Sequence, residues 1–427
     1  MLCGCSSAGK QAAETEEGLP VINLSENVEQ VSALHLSDAV DHVDIVRLET
    51  TDQSLIGRLG DIKVTSEDIW VHHFSDERIY RFSRDGKFRN TVGKIGQGPE
   101  EYISTENFYV DDENKELYIM TPSSGIRVYD YEGNYKRGQH REFHQKAFSA
   151  FVAKNGMIFK DGEIILSQQL YLSRIIPEDS IWSLAWVDRD FNIQKIYENP
   201  AHVGREAEII KNSPIYDPRV FMDYYWEEQT AWDVYGNELT FKFADTDTIY
   251  LYNKENRELQ PQYIIYSSEE KGDYADTHRI AKDIKDFNYF TIKNYFPARD
   301  YIYLIAYKGP EIRTYRYDRR DHSVQMARRD IQILSRRFSV TTRHFFENEG
   351  DTHFYLNDDI FGGRFHIKTR AEGKYWIDIL QPGFPEYDEA VEELRNSPDA
   401  PRKQELLNII DQTDDEDNPI LLIAVLK

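Results

Sequence analysis

His72 and His73 stand side by side and are the first residues of this chain that could do chemistry. Neighbouring residues of a strand point to opposite faces, so a regular strand cannot offer both rings to one metal ion. One packed and one solvated histidine is the expectation. His140 and His144 have the i,i+4 spacing that suits zinc on a helix, but the region reads as an outer strand and no glutamate completes an HExxH pattern. Asp411 to Asp417 is acidic enough to attract calcium, yet it lacks the glycine that bends an EF-hand loop. Gly96-Gln-Gly-Pro-Glu100 resembles a phosphate loop only in its glycines. It has no Gly-Lys-Ser/Thr ending and no following helix to supply a dipole. A Gly-x-Ser-x-Gly elbow is absent. Trp70, Trp182, Trp186, Trp226, Trp232 and Trp376 could include a sugar-stacking platform, with sheet packing the expected use of most. The sequence thus predicts no catalytic residue, no metal site and no cofactor.

Positioning elements are far easier to read. The chain has 28 Tyr, 22 Phe and 6 Trp among 427 residues, and aromatic side chains favour pleated, half-buried surfaces. Degraded copies of one stretch recur along it: Tyr80-Arg-Phe82-Ser-Arg-Asp-Gly, Val128-Tyr129-Asp-Tyr-Glu-Gly, Trp186-Val187-Asp-Arg-Asp, Tyr250-Leu-Tyr252-Asn-Lys-Glu-Asn and Tyr315-Arg-Tyr317-Asp-Arg-Arg. Each is a short apolar strand running into an acidic turn. A second strand family precedes them, beginning at Asp68, Glu116, Glu163, Glu238, Tyr301 and Thr352, with successive intervals of 48, 47, 75, 63 and 51 residues. The short intervals suit a four-stranded blade and the long ones a blade with an insertion. No blade can bury its own face, so the copies must stack around a shared core.

Blade one reads in full: Ile62 to Thr65 inside, Ile69 to Phe74 second, Arg78 to Ser83 third and Phe88 to Val92 outside. Asp85-Gly86 is its hairpin turn, with both positions expected at positive φ. Apolar spacing predicts a helical insertion near 267–287 and two short surface helices within 387–410. Residues 19–427 read as one domain.

Charge and cysteine usage bound the partners. Fifty-one basic against 75 acidic residues give a formal charge of −24, which repels nucleic-acid backbones. The two cysteines, Cys3 and Cys5, both lie at the N-terminus, so the body of the chain can hold no disulfide. Leu2-Cys3-Gly4-Cys5 matches a bacterial lipobox, and residues 1–18 read as that lipobox and a flexible tether. Cys5 would carry the acyl chains, leaving the protein periplasmic or surface-exposed and attached to a membrane it does not span.

Ile95-Gly-Gln-Gly-Pro-Glu-Glu-Tyr102 after an aromatic hairpin, Asp247-Thr-Ile-Tyr250, Arg47-Leu-Glu-Thr50 and Asp417-Asn-Pro-Ile-Leu421 together resemble the β-propeller lipoproteins of Bacteroidota, similar in fold to NHL and TolB propellers. The resemblance implies an all-β, six-bladed β-propeller of four-stranded antiparallel blades. Its ring would be closed by Val43 to Leu48 beside Ile420 to Val425. Glu100 departs from the family loop, which usually has a second glycine there. Ligands of such wheels sit at one mouth of the central channel, among loops entering inner strands and turns between second and third strands. That geometry nominates His72, His73, Asp76, Gly98, Glu101, Tyr102, Ser123, Gln168, Asp245, Lys308 and Asn357. The implied role is a binding module for an envelope protein, a peptide or a glycan. The alternative is a calcium-dependent hydrolase, lactonase or lyase, with Asp76, Glu101, Asp245 and Asn357 as ion ligands.

Overall fold

The computed structural model describes residues 18–105, 107–121, 125–139, 152–160, 162–168, 182–205, 230–243, 245–270, 290–308, 311–330 and 354–427. They form a six-bladed β-propeller of four-stranded antiparallel blades. Blade one is Leu59–Val64, Asp68–His73, Arg78–Ser83 and Phe88–Val92. Blade two is Asn107–Asp111, Glu116–Thr121, Gly125–Asp130 and Tyr135–Gln139. Blade three is Val152–Lys160, Glu163–Gln168, Leu184–Val187 and Ile193–Tyr197. Thr230–Tyr235, Glu238–Phe243, Thr248–Asn253 and Glu258–Tyr266 make blade four. Phe290–Pro297, Tyr301–Lys308, Glu311–Asp318 and Val324–Asp330 make blade five.

Blade six joins the two ends of the chain. Its inner three strands are Thr369–Ala371, Tyr375–Leu380 and Ile420–Leu426, and its outer strand is Val40–Arg47. Ile420 pairs with Arg47 and Val425 with His42, the closure that the sequence predicts. Upstream of it the N-terminal segment straps two further edges. Val21–Asn23 adds a parallel strand to the outside of blade four, and Glu29–Gln30 one to blade five. These pairings are too short to register as strands in a sequence pattern.

The core shows why the wheel must close. Six buried apolar clusters occur among the described residues, and each is shared by neighbouring blades. Ile69, Val71 and Phe82 of blade one pack with Ile377, Leu421 and Ile423 of blade six. Trp70 and Ile79, on the other face of blade one, pack with Phe108 and Leu117 of blade two. A strand buried on both faces needs a neighbour on each side, and only a ring gives every blade two neighbours.

Polar contacts repeat along with the apolar ones. The residue that opens a second strand meets the turn between the third and outer strands of the next blade. Glu116 pairs with Arg189, Glu163 with Arg257 and Glu238 with Arg319. At the ring closure Tyr375 presents its ring to Arg84, 5.3 Å away. Asp68 is fully buried and pairs with Arg81, which donates to the Tyr131 carbonyl in blade two's turn.

Two expectations need correction. Of the Asp85-Gly86 turn only Gly86 takes a positive φ, +88°. The Gly86 N–H donates to the Ser83 carbonyl and the register shifts at Arg81/Phe82, as in a three-residue hairpin with a bulge. The strand expected to begin at Thr352 starts outside the described residues, which resume at Phe354, and blade six's second strand is Tyr375–Leu380. Tyr355–Asn357 instead pairs with Arg364–His366 in a separate two-stranded sheet. Leu356 does bury its side chain, but in the cluster formed with helices α1 (Pro385–Asn396) and α2 (Lys403–Ile410). A half-buried alternation cannot show which neighbour covers it. The two helices match the pair expected within 387–410. The helix expected near 267–287 lies mostly outside the described residues, as do His140, His144 and Trp226.

Candidate functional site at the channel mouth

Alternating strand direction puts the turns between second and third strands on the same face as the connections that enter each inner strand. Most nominated residues gather there. His72 and His73 close the second strand of blade one and do point to opposite sides. His72 is buried, with Nε2 3.2 Å from Glu77 Oε2. Its ring lies so close to the inner strand that a Cβ on Gly60 would fall 2.4 Å from Nδ1. Glu77 has φ +63° and accepts the Thr105 N–H at 2.8 Å, tying this turn to the start of blade two.

His73 faces the other way. Its Nε2 accepts the Gly57 N–H at 3.2 Å, which puts the ring proton on Nδ1. Nδ1 lies 2.9 Å from Asp76 Oδ1, off the line of a well-formed hydrogen bond. Asp76 also accepts from the Arg78 N–H and the Tyr80 hydroxyl, and the His73 ring stacks on Tyr80. Burial pushes the His73 pKa below its ordinary value, against the pull of Asp76. This His–Asp pair has the look of a proton relay, but the nitrogen a relay would use is already taken by a backbone donor.

Gly96 to Tyr102 forms a closed loop between blades one and two. Ile95 and Tyr102 bridge in parallel, and Glu101 Oε2 accepts the Gly98 N–H at 2.9 Å. Lys94 holds the other oxygen of Glu101 at 2.8 Å, and these contacts lower its pKa. The glycine-rich backbone therefore binds the chain's own carboxylate where a phosphate loop would bind a ligand. Tyr102 is a core residue, and burial raises its hydroxyl pKa far above the ordinary value.

Blades four and five repeat the arrangement with other residues. Asp245, at φ +61°, holds its Oδ2 2.8 Å from Nε2 of the buried His202. Asn199 Nδ2 lies 3.3 Å from His202 Nδ1. His202 is missed by the sequence reading; the Asn199-Pro-Ala-His run, a capping amide beside a turn, is the signal for it. Lys308 pairs with Glu269, which also pairs with Arg313. In blades one, four and five the connection that enters the blade is thus fastened to that blade's own turn.

Gln168 ends the second strand of blade three, opposite Val152. Ser123 and Cys5 lie outside the described residues. Asn357 is not at the mouth. It belongs to the two-stranded sheet beside blade five, where its Nδ2 lies 3.1 Å from His35 Nδ1. Asp76, Glu101, Asp245 and Asn357 accordingly sit in four separate partner networks. Among the described residues no three His, Cys, Asp or Glu side chains are arranged to hold a metal ion.

The far end of the channel carries a polar contact that the sequence does not advertise. Arg370 Nη1, on blade six's inner strand, lies 2.8 Å from Asp233 Oδ2 on blade four's and packs over Phe296. Beside it the Gly236 N–H donates to the Gly373 carbonyl, so the inner turns of blades four and six meet directly.

A family model described as a domain of unknown function (DUF4934) matches residues 19–425. A solved structure described as an exported protein from Bacteroides fragilis superimposes with a TM-score of 0.59 at 13% identity, covering 95% of this chain and 100% of that one. A member of the DUF4221 family from Bacteroides vulgatus aligns with a TM-score of 0.42 at 12% identity, over 68% of this chain and 86% of its own. Streptogramin B lyase aligns at 0.31 and 11% identity over 67% and 86%, too remote to bear on chemistry. No curated protein matches the chain.

Proposed function

The chain belongs to the DUF4934 family, and from that premise we propose that it is a lipid-anchored cell-envelope protein whose wheel serves as a binding module. Its partner would be an envelope protein, a peptide or a glycan. The observation that carries this reading is the engagement of the mouth's acid–base groups. His73 through Nε2, Glu101 through both oxygens and Asp245 through Oδ2 are each engaged by backbone or side-chain partners within the wheel. Such groups brace loops for recognition, whereas proton transfer would have to break the bonds that hold the turns.

The anchor rests on the lipobox at Cys5 and on where the tether arrives. The Pro20 carbonyl accepts from the Ile264 N–H on the outer rim of blade four. A wheel hung by its rim keeps its mouth clear of the attachment. Among the described residues no helix is long and apolar enough to cross a membrane.

Fractionation of cells producing the full chain tests the anchor. The parent should sediment with membranes and Cys5→Ser should appear in the soluble fraction; a membrane-bound Cys5→Ser would remove the anchor. Calcium tests the module. Millimolar calcium is expected to leave the melting temperature unmoved, whereas an ion held only by the folded state would raise it by an amount that grows with the logarithm of its concentration. A rise of several degrees would instead restore the ion-centred hydrolase, lactonase or lyase.

A further inference from the structure

Beside the wheel, where blade five's outer strands face the two-stranded sheet and the end of α1, lies a groove of about 420 Å³. That is within the usual range for small-molecule sites, and it falls at a junction between packed units, where such sites concentrate. Its lining is unusual for a chain of charge −24, because guanidinium groups stand on both walls. Arg328 projects from blade five, half exposed, with Gln30 at 3.1 Å and Glu311 at 3.6 Å. Arg364 projects from the small sheet, over the Tyr355 ring at 4.7 Å, with its Nε 3.1 Å from Glu393. Between them neutral hydrogen-bonding residues such as Thr314, Asn357 and Asn396 alternate with apolar ones such as Leu34, Ala327 and Pro398, and the Glu393 carboxylate also faces the groove.

We propose that this groove binds a short acidic saccharide, its carboxylate between Arg328 and Arg364 and its hydroxyls against the amides and hydroxyls of the lining. A guanidinium fork matches a planar carboxylate, and the groove offers one from each wall. Neutral donors and acceptors interleaved with small apolar patches match a sugar ring, which carries hydroxyls at its edge and C–H groups on its faces. The chain's overall negative field disfavours a polyanion, so the ligand is a short one with isolated carboxylates. This names the ligand class of the binding module proposed above and rests on that reading.

Titration calorimetry on the full chain decides it, with digalacturonate, the neutral galactobiose, inorganic phosphate and a peptide with a free C-terminal carboxylate as probes. Digalacturonate should bind saturably, and galactobiose at least about tenfold more weakly, a difference of about 1.4 kcal/mol. Arg364→Gln and Arg328→Gln should each weaken digalacturonate about tenfold or more, with Arg364→Lys retaining part of the affinity. Both side chains are about half exposed, at 41% and 50%, so the variants should melt with the parent. No saturable digalacturonate binding by a folded parent overturns the proposal, as does preference for phosphate or the peptide. Digalacturonate binding that survives the double variant removes this groove but keeps the wheel as a binding module.

Discussion

Glu116 shows how much one residue can hold in this fold. Its side chain is 4% exposed, yet it is surrounded by cations: Arg137 reaches both oxygens, at 2.8 and 2.7 Å, and Lys136 lies at 2.7 Å. Burial pushes its pKa up, and the hydrogen bonds from Arg137 and Lys136 outweigh that and hold it at about 2. The folded pKa is depressed, so the stability it supplies is present above the unfolded value near 4.5 and is lost as pH falls from there toward 2. Glu116→Gln should therefore be destabilised by about 1–2 kcal/mol at neutral pH, because the partly exposed Arg137 and Lys136 lose their counter-charge but keep some solvent. Urea unfolding measured at pH 7 and pH 3 checks both statements. The gap between parent and variant should narrow at the lower pH, and a constant gap would mean that packing, not charge, is what the substitution removes.

The hairpin turn is the element that latches one blade to the next. The turn of blade one sits against the end of blade six's outer strand: a Cβ on Gly86 would fall 2.1 Å from the Arg47 carbonyl oxygen. The Glu49 N–H donates to the Gly86 carbonyl. Gly133 repeats the contact against the Thr91 carbonyl, at 3.1 Å. The acidic residues of these tips, read from sequence as charge around a turn, are turn caps. Asp188 accepts the N–H groups of Asp190 and Asn192, and those bonds with the Asn192 side chain lower its pKa. Gly86→Ala combines a left-handed φ with a backbone clash and should cost about 2–4 kcal/mol, while Gly162→Ala meets no atom within 4 Å and should cost only the φ penalty of about 1 kcal/mol. Guanidinium unfolding of the two variants separates the terms. These elements also mark the limit of what was legible in the sequence. Third strands and their tips could be read because aromatic alternation and turn chemistry are local. The placement of Tyr355–Asn357, the parallel straps and the pairing of His202 with Asp245 could not, since each depends on which distant segment supplies the partner. The mouth nominations suffered in the same way. Fold logic places them on one face but cannot show that the wheel's own loops use their polar atoms.

At the scale of the whole molecule, closure makes the N-terminal segment two devices in series. Residues 21–35 strap outer edges, with Ile22 and Leu24 buried against blades four and five and Leu34 buried beside the two-stranded sheet, where His35 bridges Asn357. Val40–Arg47 is different: it completes blade six, and Val40, Val43 and Val46 are buried in the clusters that join blade six to its neighbours. Removing residues 1–34 should leave a cooperative wheel of lower stability, with two unpaired edges and a greater tendency to associate. Removing residues 1–47 deletes an entire strand whose three valines alone represent about 5 kcal/mol of apolar burial, before the lost ladder of backbone hydrogen bonds. That chain should lose its cooperative melt. Supplying the missing strand as a peptide of residues 36–50 should restore it in a concentration-dependent way, because the peptide binds only the closed ring. Calorimetry on both truncations is the measurement. If the longer truncation melts as sharply as the shorter, the wheel does not depend on pairing its two ends, and the explanation of the six shared clusters as a single closed core fails.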